Sequence, residues 1–600
     1  MLRLGCAFCL FAISSHAFAL TIKSGETIGA SQSSSDEVDA ADIANADPQL
    51  VEAQLLLQRF SFIGKPPTGR WDNDYRKAAK QFYQRDFNKA YDGDYATTLL
   101  DDLRKRRLVM PPQQGNSTFA EETYDVSGLG IKAGFEAALD KDRFHFGELG
   151  FTALSSTEIS PPFCYPTPQD CTDDKRIFSP NAHNAAIGDF NGDGHEDIAI
   201  SWIYFTHTMP RSETPSHIRY YLNDGTGKLV SSPSIYKDDI MPLRHFMYRM
   251  AVADYNGDGV DDIFSGTMGV IKRIKDDGMI SDFEPHVLLL SDGNGAVYDA
   301  SHQIEGQEFG GLTHQAGFAH TSSVGDINCD GTPDIYAGGI LLINDGTGHF
   351  SNQTDDLPQS VDITASPPKG ASIIADYNGD GCGDLVTFDF NGNGHAWMSE
   401  DGRHDKRKVI QVPITHSYGA GNMQVNNAVA GDIDGDGTPE IIAAIHRKDP
   451  YYHGRRVTIL KYNDGAFLDM SEKLIFDPRD KDGQDYLQAH GEGTVRVRDH
   501  DNDGDLDILD SHGGSYEENG RFGMSIFEND GTGHFTKIPQ DEMVMLQEHM
   551  ISGMKANRRT LAYGYPINLD DTGLLDYVSF TMMPWERDRA GWIGYTVMGK

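Results

Sequence analysis

The chain has 600 residues, 64 of them glycine, and a formal net charge of −39 at pH 7. A surface this acidic repels nucleic acid and anionic membranes, so neither is expected as a partner. The length suggests several domains or one large repeat architecture with an appendage, and the glycine content indicates many turns.

The first 19 residues have the pattern of a secretory signal. Arg3 precedes an apolar run from Leu4 to Ile13, and an A-x-A site at 17–19 predicts cleavage before Leu20. A retained anchor is the alternative, although the run is too short to span a bilayer. Because no later run approaches 18 apolar residues, the sequence predicts no transmembrane segment and a secreted, periplasmic or extracellular protein.

Two cysteines close to each other suggest a disulfide. Cys164 and Cys171 enclose the short loop CYPTPQDC, and an oxidising compartment would allow them to pair. Two free thiols are the alternative. The four cysteines that remain after the predicted cleavage, Cys164, Cys171, Cys329 and Cys382, include no C-x-x-C pair, which argues against a zinc or thioredoxin-like site.

Residues 20–47 are rich in Ser, Ala, Asp and Glu and lack periodicity, which predicts a disordered acidic tether. Residues 48–107 contain helical patterns separated by GKPPTG, and residues 108–145 are a mixed linker. The helical segment resembles the peptidoglycan-binding-like three-helix module through Gln54, Leu57, Gly69, Trp71, Ala78, Phe82, Asp92-Gly93 and Leu99. The resemblance implies association with the cell wall; a helical spacer is the alternative.

An acidic segment recurs seven times between residues 146 and 600. The copies are IGDFNGDGHEDIAI, VADYNGDGVDDIFS, VGDINCDGTPDIYA, IADYNGDGCGDLVT, AGDIDGDGTPEIIA, VRDHDNDGDLDILD and the degenerate PINLDDTGLLDYVS, with first loop positions at 189, 254, 326, 376, 432, 499 and 568. Most copies are followed by an Asp-Gly hairpin signal, as in YYLNDGTGKLV. Each unit therefore predicts four strands with an acidic loop between the first two.

These segments resemble the FG-GAP/VCBS repeats, whose domains are β-propellers like the head of integrin α chains. The resemblance implies a mainly β fold: a seven-bladed β-propeller with calcium-binding loops over 146–600, preceded by a small N-terminal three-helix module. A ring of this kind protects most strand edges.

The acidic loops follow the pattern D-x-[DN]-x-D-G-x-x-[DE]. Oxygen atoms at positions 1, 3, 5 and 9, with the carbonyl of position 7, can converge on one hard cation, and all-oxygen ligation suits Ca²⁺. Several structural calcium ions are therefore the expected cofactor. The predicted ligands are Asp189, Asn191, Asp193 and Asp197; Asp254, Asn256, Asp258 and Asp262; Asp326, Asn328, Asp330 and Asp334; Asp376, Asn378, Asp380 and Asp384; Asp432, Asp434, Asp436 and Glu440; and Asp499, Asp501, Asp503 and Asp507.

An EF-hand is the main rival, because its first half has the same pattern. It requires a glutamate at position 12 and a helix beyond, whereas position 12 of the first loop is Ile200 and apolar β-like residues surround it. In the seventh loop Thr572 replaces the position-5 acid, so no metal is expected there. Cys329 and Cys382 lie inside the third and fourth loops, where an inter-blade disulfide or two buried thiols are both possible.

Cationic and aromatic residues collect in the connections expected on the face opposite the acidic loops. They include His207, His446, Arg447, Tyr451, Tyr452, His453, Arg455, Arg456, His512, Tyr516, Trp585, Arg587 and Arg589, with His183, Arg249, His320, Arg558 and Arg559 leading into the first strands. Such groups suit a polar polymer or glycan; the alternative is that many are ordinary loop residues.

The main functional hypothesis is a non-catalytic binding or adhesion protein that recognises a cell-wall, glycan or protein ligand outside the cell. The alternative is a secreted, lyase-like polysaccharide-active enzyme in which His446, Tyr452, His453 and His512 supply acid and base groups.

Overall fold

The computed structural model describes most of residues 46–107 and 179–599, together with the short segments 122–123, 144–146 and 152–155. The longest gaps are 206–214, 307–318, 358–369, 476–492, 513–522 and 539–561. The predicted signal segment and the Cys164–Cys171 pair lie outside the described residues. The chain divides into two compact units, Met1–Leu108 and Val109–Lys600.

The first unit contains three helices within its described residues: α1 (Pro48–Arg59), α2 (Asn73–Phe87) and α3 (Leu100–Arg107). Their apolar faces meet in a small core in which Leu57, Phe82 and Leu103 are fully buried. This arrangement is consistent with a small helical module. No described helix is long and apolar enough to cross a membrane.

Two polar residues position the start of α2. The buried amide of Gln54 accepts the backbone N–H of Gly69 at 3.0 Å and donates to the carbonyl of Arg70 at 2.7 Å, which holds the connection against α1. Asp72 then caps α2, because its Oδ1 accepts the N–H groups of Asp74 and Tyr75, both at 3.0 Å.

The second unit is built mainly from antiparallel sheets of four successive strands, each called a blade here. The strands of blades 1 to 3 are β4 (Ser179–Gly188), β5 (Asp197–Phe205), β6 (Pro215–Asn223) and β7 (Leu229–Ser231); β9 (Met247–Ala253), β10 (Asp262–Thr267), β13 (Val287–Ser291) and β14 (Val297–Asp299); and β15 (Ser322–Gly325), β16 (Asp334–Ala337), β17 (Ile340–Asn344) and β18 (Phe350–Asn352). Strand β8 (Arg244–His245) adds to blade 1, and β11 (Val270–Lys275) with β12 (Gly278–Phe283) forms a separate hairpin.

Blades 4 to 6 repeat the same order. Their strands are β19 (Ala371–Ala375), β20 (Asp384–Phe388), β21 (Gly394–Ser399) and β22 (Arg407–Val412); β23 (Met423–Gly431), β24 (Glu440–Arg447), β25 (Arg456–Asn463) and β26 (Ala466–Asp469); and β28 (Gly493–Arg498), β29 (Asp507–His512), β30 (Gly523–Asn529) and β31 (Phe535–Lys537), with β27 (Leu474–Ile475) parallel to β31. The first strands of successive blades lie side by side around an axis, from β4 to β28.

The prediction of seven blades is wrong, because the described residues form six. The seventh repeat contributes only three strands of its own, β32 (Ala562–Ile567), β33 (Asp576–Met583) and β34 (Gly591–Gly599). They join β1 (Glu122–Thr123), β2 (Phe144–Phe146) and β3 (Thr152–Ser155) in one six-stranded sheet, called the terminal sheet here. Strand β34 pairs with β2 and β3, which come from distant sequence.

The apolar core of the propeller lies between neighbouring blades. One cluster joins blades 1 and 2, and equivalent clusters join each following pair up to blades 5 and 6. The second residue of every acidic loop is buried, and these residues are Phe190, Tyr255, Ile327, Tyr377, Ile433, His500 and Leu569. Each loop is therefore anchored to the core at its second residue.

Candidate metal centres

The acidic loops connect the first and second strands of each blade, and the second strand begins at position 9. In the first loop, β4 ends at Gly188 and β5 begins at Asp197. A strand rather than a helix follows, so this geometry is that of a strand–loop–strand site and not of an EF-hand.

The position-1 carboxylate is oriented by the backbone of its own loop. Asp189 accepts N–H groups from Gly192 at 2.7 Å, Asp193 at 3.1 Å and Gly194 at 2.8 Å. Gly194 has φ +89°, a conformation that favours glycine and turns its N–H inward. The position-6 N–H makes the same bond to Asp254, Asp326, Asp376, Asp432 and Asp499.

The position-9 acid is buried in every predicted set. Asp197 accepts the N–H of Phe190 at 3.1 Å and that of Asn223 at 2.7 Å, which ties the loop to the third strand of its blade. Burial raises the pKa of Asp197 to about 7. Burial likewise raises the pKa of Asp262 to about 8, of Asp334 and Asp507 to about 7, and of Asp384 to about 6.

Two of the predicted sets bring three acids together tightly enough to hold a metal ion. The carboxylate oxygens of Asp432, Asp434 and Glu440 all lie within 4.8 Å of one another, and so do those of Asp499, Asp501 and Asp507. In the first, third and fourth loops an asparagine at position 3 donates its amide to the position-5 acid, as Asn191 does to Asp193 at 2.9 Å. Asn256 in the second loop instead donates to the carbonyl of Ser291 at 3.0 Å.

A family model described as an FG-GAP-like repeat matches residues 189–265 and 376–443. The chain contains FG-GAP-like repeats. The first match runs from the first acidic loop through the second, and the second match spans the fourth and fifth loops. The predicted repeat type and the β-propeller arrangement are therefore confirmed.

A comparison with curated proteins gives no significant match. Among solved structures, a point mutant of the NanB sialidase from Streptococcus pneumoniae is similar with a TM-score of 0.32 and 10% identity, covering 69% of this chain and 67% of that one. A structure of NanB with Optactamide gives a TM-score of 0.30 and 10% identity over 68% and 67% of the two chains. Values this low do not indicate a shared function.

The sixth FG-GAP-like loop concentrates the most negative charge. It has acids at positions 1, 3, 5, 7 and 9, namely Asp499, Asp501, Asp503, Asp505 and Asp507. Burial, followed by repulsion from Asp503 and Asp501, raises the pKa of Asp505 to about 6. Among the described residues no basic side chain forms an ion pair with these five acids. The donor set is all oxygen and uncompensated, which fits a hard divalent cation.

The fifth FG-GAP-like loop already contains a cation from the protein itself. Lys461 Nζ lies 2.7 Å from Asp434 Oδ2, 2.8 Å from Asp436 Oδ2 and 2.7 Å from Glu440 Oε1. The hydrogen bond from Lys461 lowers the pKa of Asp436 to about 2. A metal ion bound by these acids would have to displace the ammonium group.

The strand register shows that this lysine is particular to blade 5. Leu460 pairs with Ile441 in the way that Tyr221 pairs with Ile198, so Lys461 matches Leu222. The same register places Leu290, Ile343, Met398 and Glu528 at this position in the other blades. Lys461 therefore neutralises a loop whose counterparts have no basic residue at that site.

The sequence patterns did not predict an asparagine that forms hydrogen bonds between neighbouring sheets. Asn344, at the end of β17, donates its amide to the carbonyl of Tyr255 in the preceding blade at 2.9 Å. Its Oδ1 accepts N–H groups from Gly346 and Gly348 in its own hairpin, both at 3.2 Å. Asn223 and Asn529 make the same bridges, to Leu569 and Ile433. The recurring string NDGTG was the available signal.

The residues predicted for the ligand-binding face differ in burial and in their partners. His446 is fully buried, and burial lowers its pKa to about 4. Arg455 is also fully buried and forms an ion pair with Asp510, with Nε 2.8 Å from Oδ1. Tyr452, His453 and the side chain of His512 lie outside the described residues. The Arg455–Asp510 ion pair thus links blade 5 to blade 6.

Cys329 and Cys382 form a disulfide that links the third and fourth loops, with their Cα atoms 5.0 Å apart. Cys329 occupies position 4 with φ +64°, where the first, second, fourth and fifth loops have glycine. The left-handed conformation is costly for cysteine, and the covalent link accounts for its presence there. Of the two alternatives for these cysteines, the inter-blade disulfide is the one found.

Proposed function

We propose that this chain is a secreted, calcium-stabilised binding or adhesion protein whose FG-GAP-like loops hold structural Ca²⁺. The observation that supports this most directly is the sixth loop, where five acids crowd one turn without a basic partner among the described residues. Crowded carboxylates repel one another unless a cation neutralises them, and calcium accepts the flexible all-oxygen ligation that these loops offer.

The residues proposed to hold calcium are the predicted side chains at positions 1, 3, 5 and 9, with the carbonyl of position 7. Their backbone contacts support this role, because Asp189 and Asp197 are each held by N–H groups before any ion binds. A bound ion would supply positive charge that keeps the buried position-9 acid ionised. It would thereby fix the turn between the first and second strands.

The binding role follows from the distribution of chemistry rather than from one residue. The acidic loops are positioned for structure, and propellers present their connecting loops to ligands. The lyase-like alternative depends on Tyr452, His453 and His512, whose side chains are not described, while His446 is buried. The proposed partner is a cell-wall or extracellular glycan or protein, with the helical module as the proposed wall-binding segment.

The calcium proposal is tested on the full chain by thermal unfolding and by counting bound ions after gel filtration. EDTA should lower the melting temperature by many degrees and millimolar calcium should restore it, because an ion at 100 times its dissociation constant contributes about 2.7 kcal/mol per site. Asp503→Asn should retain fewer ions than the wild type. The matched control, Asp530→Asn in the exposed hairpin of the same blade, should leave the ion count unchanged.

An unchanged melting temperature in EDTA, with no ion retained from millimolar calcium, would refute the calcium proposal. The binding role is tested separately with immobilised peptidoglycan and uronate-bearing polymers. Retention without the absorbance of unsaturated products supports binding, whereas product formation would replace it with the lyase-like alternative.

A further inference from the structure

Two arginines from first strands reach across the axis of the propeller. Arg249 lies on β9 in blade 2, and its Nη2 donates to the carbonyl of Asn426 on β23 in blade 5 at 3.1 Å. Blades 2 and 5 are not neighbours, so this side chain crosses the axis of the propeller. The region enclosed by the first strands is called the axial channel here. Arg496 on β28 donates from Nη2 to the carbonyl of Ala185 on β4 at 3.4 Å and so joins blades 6 and 1. Both guanidinium groups therefore lie among the first strands.

Neither arginine has a carboxylate partner among the described residues. Arg249 contacts the carbonyl of His320 from Nε at 3.4 Å, and its guanidinium lies 4.7 Å from the ring centroid of Tyr248. Arg496 donates from Nη1 to Thr494 Oγ1 at 2.8 Å and lies 5.2 Å from the ring centroid of Tyr565. All of these acceptors are neutral.

Three other arginines among the described residues form ion pairs with acids. Arg455 pairs with Asp510 and Arg244 with Asp299, and the partly exposed Arg498 pairs with Glu196 at 2.8 Å. A protein with a net charge of −39 has ample carboxylates. Arg249 and Arg496 have no such carboxylate contact within the described part of the chain.

The positive charges in the axial channel repel one another, which lowers the pKa values of the basic groups there. Burial, together with the nearby charges of Arg249 and Arg498, lowers the pKa of Arg496 to about 10, so it remains charged at neutral pH. Burial and the charge of Arg249 lower the pKa of His320 to about 4, so that ring is neutral and does not add to the charge. A desolvated cation is unfavourable without an opposite charge.

We propose that the axial channel binds an oxyanion group, a carboxylate or a sulfate or phosphate, between Arg249 and Arg496. Each guanidinium has five N–H donors in a planar fork that matches oxyanions. Among the described residues, protein acceptors engage Nε and Nη2 of Arg249 and Nη1 and Nη2 of Arg496. Donors therefore remain on both groups. The site is separate from the calcium loops and goes beyond the proposed binding role.

The experiment uses the full chain in calcium-containing buffer and titrates sodium sulfate, sodium acetate and sodium glucuronate by calorimetry at constant ionic strength. At least one anion should bind saturably. Arg249→Gln and Arg496→Gln should each weaken that binding at least tenfold. Lys408→Gln is the matched control, because it removes a positive charge from an exposed position on β22, the outer strand of blade 4, and it should bind as the wild type does.

The three anions identify the source of the group. Saturation by sulfate but not by acetate indicates an inorganic or ester oxyanion, while saturation by acetate and glucuronate indicates a carboxylate, and both results support the site. Absence of saturable binding by all three, or equal binding in the Arg249→Gln and Arg496→Gln variants, would overturn it.

Melting temperatures in anion-poor buffer separate binding from a structural role. If the two cations lack a counter-charge, Arg496→Met should melt at or above the wild-type temperature and should lose the stabilisation by anions. A melting temperature many degrees lower for both Arg496→Met and Arg249→Met would show that the arginines serve only to bridge strands, and would overturn the proposal.

Discussion

Lys461 shows how one side chain can change the chemistry of a repeated loop. Its ammonium group contacts three acids that in a metal site would face the ion, at 2.7 to 2.8 Å. A tethered ammonium needs no binding from solution, whereas calcium must be present at a sufficient concentration. The fifth loop is therefore the one expected to depend least on calcium.

Replacing Lys461 by methionine should remove the internal cation and make the stability of the fifth loop depend on a bound metal ion. In EDTA we expect Lys461→Met to lower the free energy of unfolding by about 2 kcal/mol, since it leaves partly buried carboxylates unpaired. Calcium should recover most of that loss, and ion counting should show greater calcium retention than in the wild type. Urea unfolding with and without calcium measures both effects.

The matched control for this change is Lys473→Met. Lys473 Nζ lies 3.6 Å from Asp434 Oδ2, farther than Lys461 and without the other two contacts. It should change stability by less than Lys461→Met and add no calcium. A Lys461→Met variant with wild-type stability in EDTA would contradict the role assigned to this ammonium group.

The buried ring of His286 predicts acid sensitivity that does not involve the metal loops. Its Nδ1 accepts the N–H of Thr267 at 3.1 Å, and burial lowers its pKa to about 4. Because the unfolded chain binds the proton at higher pH, this stability is complete above about pH 6.5 and is lost as the pH falls towards 4.

His286→Asn should remove this pH dependence. Between pH 7 and pH 4 the wild type should lose about 3 kcal/mol more unfolding free energy than the variant, as measured by urea unfolding in calcium. His349→Asn, at an exposed hairpin position, serves as control and should follow the wild type. Parallel pH curves for wild type and His286→Asn would contradict the prediction.

At the scale of elements, the hairpin asparagines connect each sheet to the loop before it. The side-chain amide of Asn344 is the hydrogen-bond partner of the Tyr255 carbonyl and of the Gly348 N–H. Without this amide, both backbone groups would be buried without a partner. An unsatisfied buried backbone group costs about 1–3 kcal/mol. The hydrogen bonds of Asn344 therefore fix both the packing of one blade against its neighbour and the geometry of the hairpin turn.

Asn344→Ala should lower the free energy of unfolding by about 2–3 kcal/mol, because two backbone groups lose their partner. Denaturant unfolding gives the value. Asn294→Ala, in the exposed turn of blade 2, loses a bond only to the backbone of Asp292 and should cost less than about 0.5 kcal/mol. Equal effects at the two positions would argue against the inter-blade clamp.

At the scale of the whole molecule, covalent and non-covalent links close successive parts of the ring. The Cys329–Cys382 disulfide joins blades 3 and 4 across 53 residues of sequence. The terminal sheet contacts β29 of blade 6 on one side, and Asn223 of blade 1 bonds to Leu569 on the other. Segments far apart in sequence thus stabilise each other.

Removing the disulfide should destabilise the propeller by about 4 kcal/mol, the loop-entropy value for a closed loop of this length. The comparison is urea unfolding of the oxidised wild type against the Cys329→Ser and Cys382→Ser double variant. Dithiothreitol should shift the unfolding midpoint of the wild type and leave that of the double variant in place. A wild-type midpoint that is insensitive to reduction would contradict this prediction.

Much of the fold could be predicted from the sequence, because the residues that determine it are close together in the chain. Asp189 and Asp197 are eight positions apart in one turn, and the glycine at position 194 permits that turn wherever the pattern recurs. Repetition made the pattern specific, so that the FG-GAP-like repeats, the propeller and the three helices could be predicted. The ligand sets of the loops remain predictions.

Only the tertiary structure showed the features that depend on contacts between residues distant in sequence. The blade count changed because strands from 122–155 join the terminal sheet, and strand pairing across hundreds of residues leaves no local pattern. Lys461 enters the fifth loop through strand register, and Arg249 meets Asn426 only where the ring closes around its axis. Residue spacing determines a turn, whereas the charge that a turn meets is determined by which strands pack beside it.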